Sequence, residues 1–145
     1  METKILFADI DGTLLNDQKE IPKENMTAIQ KALDCGHYVV VATGRPLDSA
    51  KAVAKDLGLM MPGCYLIAYN GAIVYDCGNE KVLKKESLPL AYVKELFERA
   101  KKAGLYIQTY KGNQIITTQD SPELEAYRNH TKLSYQVVED VFEVL

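Results

Sequence analysis

Two acids, Asp9 and Asp11, close an apolar run in the stretch ILFADIDGTLLND, residues 5–17. A strand repeats its side-chain direction every second residue, so both carboxylates can leave the same side of the chain, about 6–7 Å apart. Like charges at that spacing repel. Such a pair persists where water reaches it, where one member takes a proton, or where a cation sits between the two. Gly12 permits a tight turn with close backbone approach, and Thr13 adds a hydroxyl before Leu14 and Leu15 return the chain to apolar character. These residue types suit an anion held together with a divalent metal ion. A strand followed by an ordinary Asp-Gly turn is the competing account.

The elements that would position these residues follow from the hydrophobic pattern. Residues 4–8 read as a buried strand. IPKENMTAIQKALDCG then places Met26, Ile29 and Leu33 at helical spacing, with Pro22 near the start and Gly36 at the end. HYVVVAT is β-branched and almost continuously apolar, as a strand covered on both faces would be, which points to a parallel sheet. TGRP interrupts it, and LDSAKAVAKDLG resumes a helical pattern through Leu47, Ala50, Val53, Ala54 and Leu57. CYLIAY supplies a third strand, and Asn70-Gly71 signals a two-residue hairpin into AIVYD. The expected first domain is residues 1–80.

From Lys81 the texture changes. KVLKKESL reads as an amphipathic strand, PLAYVKELFERAKKAG as a helix with Val93, Leu96, Phe97 and Ala100 on one face, and LYIQTY-KGN-QIITT as a hairpin. Asp120, Ser121, Pro122 and Glu123 resemble a helix start for PELEAYRNHT. KLSYQVVEDVFEVL is apolar enough to be ordered but has no clear period. Residues 81–145 are expected to form an α+β lobe.

In an open parallel α/β sheet, ligands bind beyond the carboxyl ends of the strands. Asp9 to Thr13 follow the first strand, Thr43-Gly44-Arg45 the second, and Asn70-Gly71 the third. Two acids, hydroxyls, a flexible turn, a guanidinium and a carboxamide around one crevice suit a phosphoryl group bound with magnesium. Arg45 has a second reading, as an ion pair bracing its loop to Asp48 or another acid. Asn70 can equally be a turn former.

Composition narrows the partners. The 145 residues carry a net charge of −3 with 47% hydrophobic and 26% charged residues, and no Lys/Arg cluster offers a footprint for nucleic acid or an anionic membrane. METKILFADI is neither a secretory signal nor a membrane span, so a cytoplasmic protein acting on a small molecule is expected. Cys35, Cys64 and Cys77 are odd in number and lack C-x-x-C spacing, which argues against a disulfide framework. His37 and His130 have no ligand partners nearby in sequence, which argues against zinc.

DIDGTLL at 9–15 resembles the D-x-D-G-T-[LV] signature of the haloacid dehalogenase-like (HAD) phosphatases, and ATGRP with YNGA is similar to their Cof-like subgroup, which carries an α/β cap. The resemblance implies a Rossmann-like parallel-sheet core, incomplete here, with a partial α+β cap lobe. It further implies that Asp9 is the nucleophile, forming an aspartyl phosphate, and that Asp11 is the general acid and base. Magnesium would be bound by the Asp9 carboxylate and the backbone carbonyl of Asp11. Thr43 and the Gly44 backbone would hold phosphate oxygens, alongside Gly12, Thr13, Arg45 and Asn70. The substrate would be a small phosphorylated metabolite.

Two parts of the family pattern have no match: a later Lys that compensates charge on the phosphoaspartate, and a G-D-x-x-N-D-like stretch that completes the magnesium shell. The sequence resembles the front half of a Cof-like protein. Two function classes follow, a HAD-type phosphatase or a catalytically incompetent relative that binds magnesium or phosphate or only assembles. A receiver-like domain phosphorylated on Asp also uses acids at strand ends, but the D-x-D-G-T run argues against it. With the later strands missing, KILFADI would form an uncovered sheet edge, a route to homo-oligomers.

Overall fold

The computed structural model describes residues 2–145. The chain divides into two compact units, Met1–Glu86 and Ser87–Leu145.

The first unit is built on a five-stranded sheet in the order β1 (Ile5–Ala8), β2 (Tyr38–Ala42), β3 (Cys64–Ala68), β4 (Ile73–Asp76) and β5 (Lys81–Lys85). β1, β2 and β3 run parallel and are linked by helices α1 (Lys23–Asp34) and α2 (Leu47–Asp56), whereas β4 and β5 are antiparallel additions. The continuous apolarity of β2 matches its place in the sheet: it pairs on both sides, and Val39, Val40 and Val41 are buried. Ala50 and Ala54 of α2 and Ile29 of α1 share a core with Val39, Val41, Leu66 and Ile10.

Four expectations change here. β1 is an edge strand pairing only with β2, and Ile5, Leu6 and Phe7 are 56%, 43% and 60% exposed, so among its apolar residues burial waits for Ile10 just past its end. Met26 lies on the exposed side of α1. The β3–β4 connection is a four-residue loop, 69–72, because Ala68 pairs with Ile73. Both Tyr69 and Asn70 take left-handed backbone there, in place of a two-residue turn. Finally, Lys81–Lys85 does not open the second unit: the 77–80 turn returns it antiparallel to β4, with a bulge at Val74/Tyr75. The sheet hydrogen bonds of β4 decide this, and the break falls after Glu86.

The second unit contains helix α3 (Leu90–Ala103), the hairpin β6 (Gln108–Lys111) and β7 (Gln114–Thr117), helix α4 (Pro122–Thr131) and β8 (Tyr135–Val137). Its sheet order is β6-β7-β8, with β7 and β8 parallel. Ser121 caps α4 by accepting the Leu124 N–H, with Pro122 at the first helical position, as the sequence signals. Val93 of α3 is buried, while Leu96, expected beside it, is exposed. Ile115, Ile116 and Leu124 are buried in this unit.

Candidate functional site

The register of β1 against β2 sets Ala8 opposite Val41, so the chain leaves both strands at one level and the two following loops emerge side by side. Past β1, exposure alternates: Asp9 is exposed, Ile10 fully buried and Asp11 half-buried. The buried Ile10 side chain anchors the turn and leaves an acid on either side of it. Leu14 and Leu15 donate their N–H groups to Asp9 O and Ile10 O, and Asn25 of α1 reaches back to donate to the Thr13 and Leu14 carbonyls at 3.2 and 3.3 Å. Gly12 has φ of +75° with open space where a Cβ would stand. Its backbone conformation, rather than the close approach expected from the sequence, is what calls for glycine. Thr13 is exposed on the same turn.

The second loop meets the first through Arg45. Its Nε donates to Asp11 Oδ2 at 2.8 Å and its Nη2 to Asp11 Oδ1 at 2.7 Å, a two-pronged ion pair in which the Arg45 side chain is 11% exposed and that of Asp11 32%. Planar guanidinium and carboxylate match in this geometry, and both bonds are charge-assisted. The ion pair considered for Arg45 is present, with Asp11 as the acid across 34 residues of chain. Thr43, which is buried, accepts the Arg45 N–H on Oγ1 at 3.2 Å, and a hydroxyl used as acceptor can still donate its own proton.

The third loop closes on the second. Tyr69 N–H donates to Arg45 O and Asn70 N–H to Thr43 O, and the Asn70 carboxamide lies over Gly44, where a Cβ would come within 2.8 Å of its Oδ1. Gly44 therefore cannot carry a side chain without displacing Asn70. All eight residues singled out in the sequence, Asp9, Asp11, Gly12, Thr13, Thr43, Gly44, Arg45 and Asn70, stand on three adjoining loops at the carboxyl ends of β1, β2 and β3.

Two contributors escape the sequence pattern. Asn25 pins the first turn from α1. Lys19 donates from Nζ to Asp11 Oδ1 at 3.1 Å, a second cation on the same carboxylate. Asn16 and Asp17 are turn formers that could have marked a chain reversal there, but nothing in their types says where Lys19 would arrive.

The cysteines take no part in this site. Cys35 is exposed, and Cys64 and Cys77 are buried opposite one another at the end of the β3–β4 pair. Burial raises the Cys64 thiol. Burial first, then Cys64 and Asp76, pushes Cys77 up to about 12, which leaves little thiolate for chemistry.

The family model for haloacid dehalogenase-like hydrolases matches residues 6–144. The chain belongs to the haloacid dehalogenase-like hydrolases. Among curated relatives, it is 38% identical over 101 residues to the 5-amino-6-(5-phospho-D-ribitylamino)uracil phosphatase YitU of Bacillus subtilis, covering 68% of this chain and 36% of that protein. It is 28% identical over 121 residues to the phosphatase YwpJ of the same organism, covering 83% and 41%. Among solved structures, a haloacid dehalogenase-like hydrolase from Bacteroides thetaiotaomicron superposes with a TM-score of 0.84 at 27% identity, over 99% of this chain and 55% of the other. A structure from Thermotoga maritima gives 0.76 at 34% identity, over 99% and 52%. The chain spans about half the length of the curated relatives it matches, or less.

Membership in the HAD-like family raises the question of magnesium. Among the described residues, no group of three or more His, Cys, Asp or Glu side chains is placed to hold a metal ion. The two acids of the first loop are nonetheless hard oxygen donors. Magnesium keeps much of its octahedral shell as water and phosphate oxygen and commonly takes only one or two carboxylates from a protein. The donor set fits the ion as part of a shell. No helix among the described residues is long and apolar enough to cross a membrane.

Proposed function

We propose that this chain carries the phosphoryl-transfer site of a magnesium-dependent phosphomonoester hydrolase that works through an aspartyl phosphate on a small phosphorylated metabolite. The observation that carries the reading is the Asp11–Arg45 pair, which joins the loop after β1, where the exposed Asp9 also stands, to the loop after β2 that carries the Thr43 hydroxyl.

Asp9 would attack phosphorus through a carboxylate oxygen, forming the Asp9–phosphorus bond as the ester oxygen leaves. Asp11 would give that oxygen its proton. A water molecule would then attack phosphorus, its proton passing to Asp11, and the Asp9–phosphorus bond would break to release phosphate. Arg45 occupies both oxygens of Asp11 in the structure, so Asp11 stands there as the carboxylate that the second step needs. The first step needs Arg45 turned away, and an incoming phosphoryl group, with more negative charge than Asp11, is a natural alternative partner for the fork. Thr43 and the backbone freed of side chain at Gly44 would donate to the phosphoryl oxygens, Gly12 and Thr13 would line the same pocket, and Asn70 would hold the Gly44 turn in place. The Asp9 carboxylate and the Asp11 backbone carbonyl would hold magnesium, which would supply charge neutralisation between the two anions.

A second reading has its own observation: among the described residues, no group of three or more His, Cys, Asp or Glu side chains is placed to hold a metal ion. On that reading the chain binds magnesium or phosphate, or only assembles through the exposed edge of β1. The test is magnesium-dependent phosphate release from an aryl phosphate by this chain and by Asp9→Asn. The hydrolase reading expects a loss of at least about a hundredfold on removal of the nucleophile. Equal rates, or no release above background from the unaltered chain, would give the second reading the field.

A further inference from the structure

We propose that Lys19 is a positioning residue for Asp11 and a second cation of the phosphoryl site, one that keeps Asp11 in place when Arg45 turns to the phosphate. The inference rests on the phosphoryl-site reading above and adds a residue that no motif contains.

The geometry of one carboxylate singles out Lys19, and its loop fixes where the side chain starts. Its Nζ lies 3.1 Å from Asp11 Oδ1, the oxygen that also accepts from Arg45 Nη2. Its backbone stands at φ of +63°, a left-handed conformation that residues with ordinary side chains adopt at a cost. That conformation is held by a closed loop: Asn16 N–H donates to Glu20 O, Lys19 N–H to Asn16 O, and Glu20 N–H to Asn16 Oδ1, all at 2.9 Å. Glycine would meet that backbone conformation without strain, which makes Lys19→Gly a variant that removes the side chain while keeping the loop.

The shared oxygen supplies the reason. Asp11 Oδ1 accepts from both Arg45 and Lys19, so when Arg45 turns to a phosphoryl group Lys19 is the cation that remains on that carboxylate. The division of labour follows from geometry: Arg45, with a planar fork, is suited to bidentate phosphate, whereas Lys19, a point charge on a flexible stem with its side chain 54% exposed, can follow Asp11 without fixing its plane.

The experiment measures orthophosphate binding to the full chain by calorimetry in the presence of saturating magnesium, with thermal midpoints alongside, for the unaltered protein, Lys19→Met, Lys19→Arg, Lys19→Gly and Arg45→Met. Lys19→Met should weaken binding by about three- to tenfold, and Lys19→Arg should stay within about twofold of the unaltered chain. Lys19→Gly should weaken binding as Met does while raising the thermal midpoint, because the strained conformation is relieved. Binding unchanged in Lys19→Met while Arg45→Met loses it would overturn the role of Lys19 and leave the site standing. A lower midpoint together with weaker binding in Lys19→Gly would make Lys19 a loop-building residue and also overturn it. An unaltered chain that binds no orthophosphate, or an Arg45→Met that binds it equally well, would remove the phosphoryl site itself.

Discussion

The two edges of the first sheet are built on opposite principles. β5 presents Lys81, Lys84 and Lys85 along a fully exposed strand, the kind of charged edge that discourages another strand from pairing. β1 presents Ile5, Leu6 and Phe7, all exposed, on a parallel edge with no charge between Lys4 and Asp9. One edge is closed to company and the other is open to it. The candidate site lies at the end of the β1 edge, since Asp9 and Asp11 follow directly from β1. We propose a second copy of the chain as one partner for that edge.

The largest way to break the contrast is to detach the closed edge. Gly78 turns the chain from β4 into β5, and a Cβ there would fall 2.6 Å from Pro62 Cα and 2.7 Å from Pro62 N, both backbone atoms that cannot swing aside. Gly78→Ala should cost about 1–3 kcal/mol of stability, read from urea unfolding. A variant as stable as the parent would show that the turn has slack.

Making the open edge resemble the closed one is the sharper test. Phe7→Lys exchanges a 60% exposed ring for the side chain β5 uses, so stability should move by no more than about 0.5 kcal/mol. Self-association at micromolar concentration, followed by sedimentation, should weaken by roughly tenfold or more. If the unaltered chain already sediments as a monomer, the open edge does not pair with its own copy.

The smallest effect concerns pH. Asp76, at the end of β4, accepts from the N–H groups of Gly78 and Asn79 and from Asn79 Nδ2, at 2.9, 3.0 and 2.9 Å. The Asn79 bonds, side chain first, hold its carboxyl below the ordinary range. A carboxyl lowered on folding contributes stability that is present above its unfolded value, near 4, and is lost as pH falls through the folded value. Asp76→Ala should therefore lower the thermal midpoint at pH 7 and lose that deficit progressively below about pH 4. A deficit unchanged at low pH would mean that the charge plays no part in the turn.

Much of the site was legible because turn chemistry is local. Asp9, Asp11, Thr43, Arg45 and Asn70 each follow a strand whose apolarity is plain in a window of a few residues. What escaped lies in relations between windows. The apolar letters of Ile5 to Phe7 describe a buried strand equally well, and only the absence of a second neighbour in the sheet exposes them. Met26 has the spacing of a core residue, but the face of α1 it occupies is uncovered. Lys81–Lys85 looked like the start of something new because its composition changes, yet hydrogen bonds to β4 claim it for the old sheet.

By itself the sequence determined the order of strand and helix in the crossover units, the helix stops, and which side chains stand at the strand ends, because periodicity and backbone preference act over neighbouring residues. The tertiary structure alone decided that Arg45 and Lys19 converge on Asp11, that Asn25 pins the first turn, and that one edge of the sheet is open. Those outcomes depend on the register of β1 against β2 and on where a loop returns in space, and no short stretch of residues encodes either.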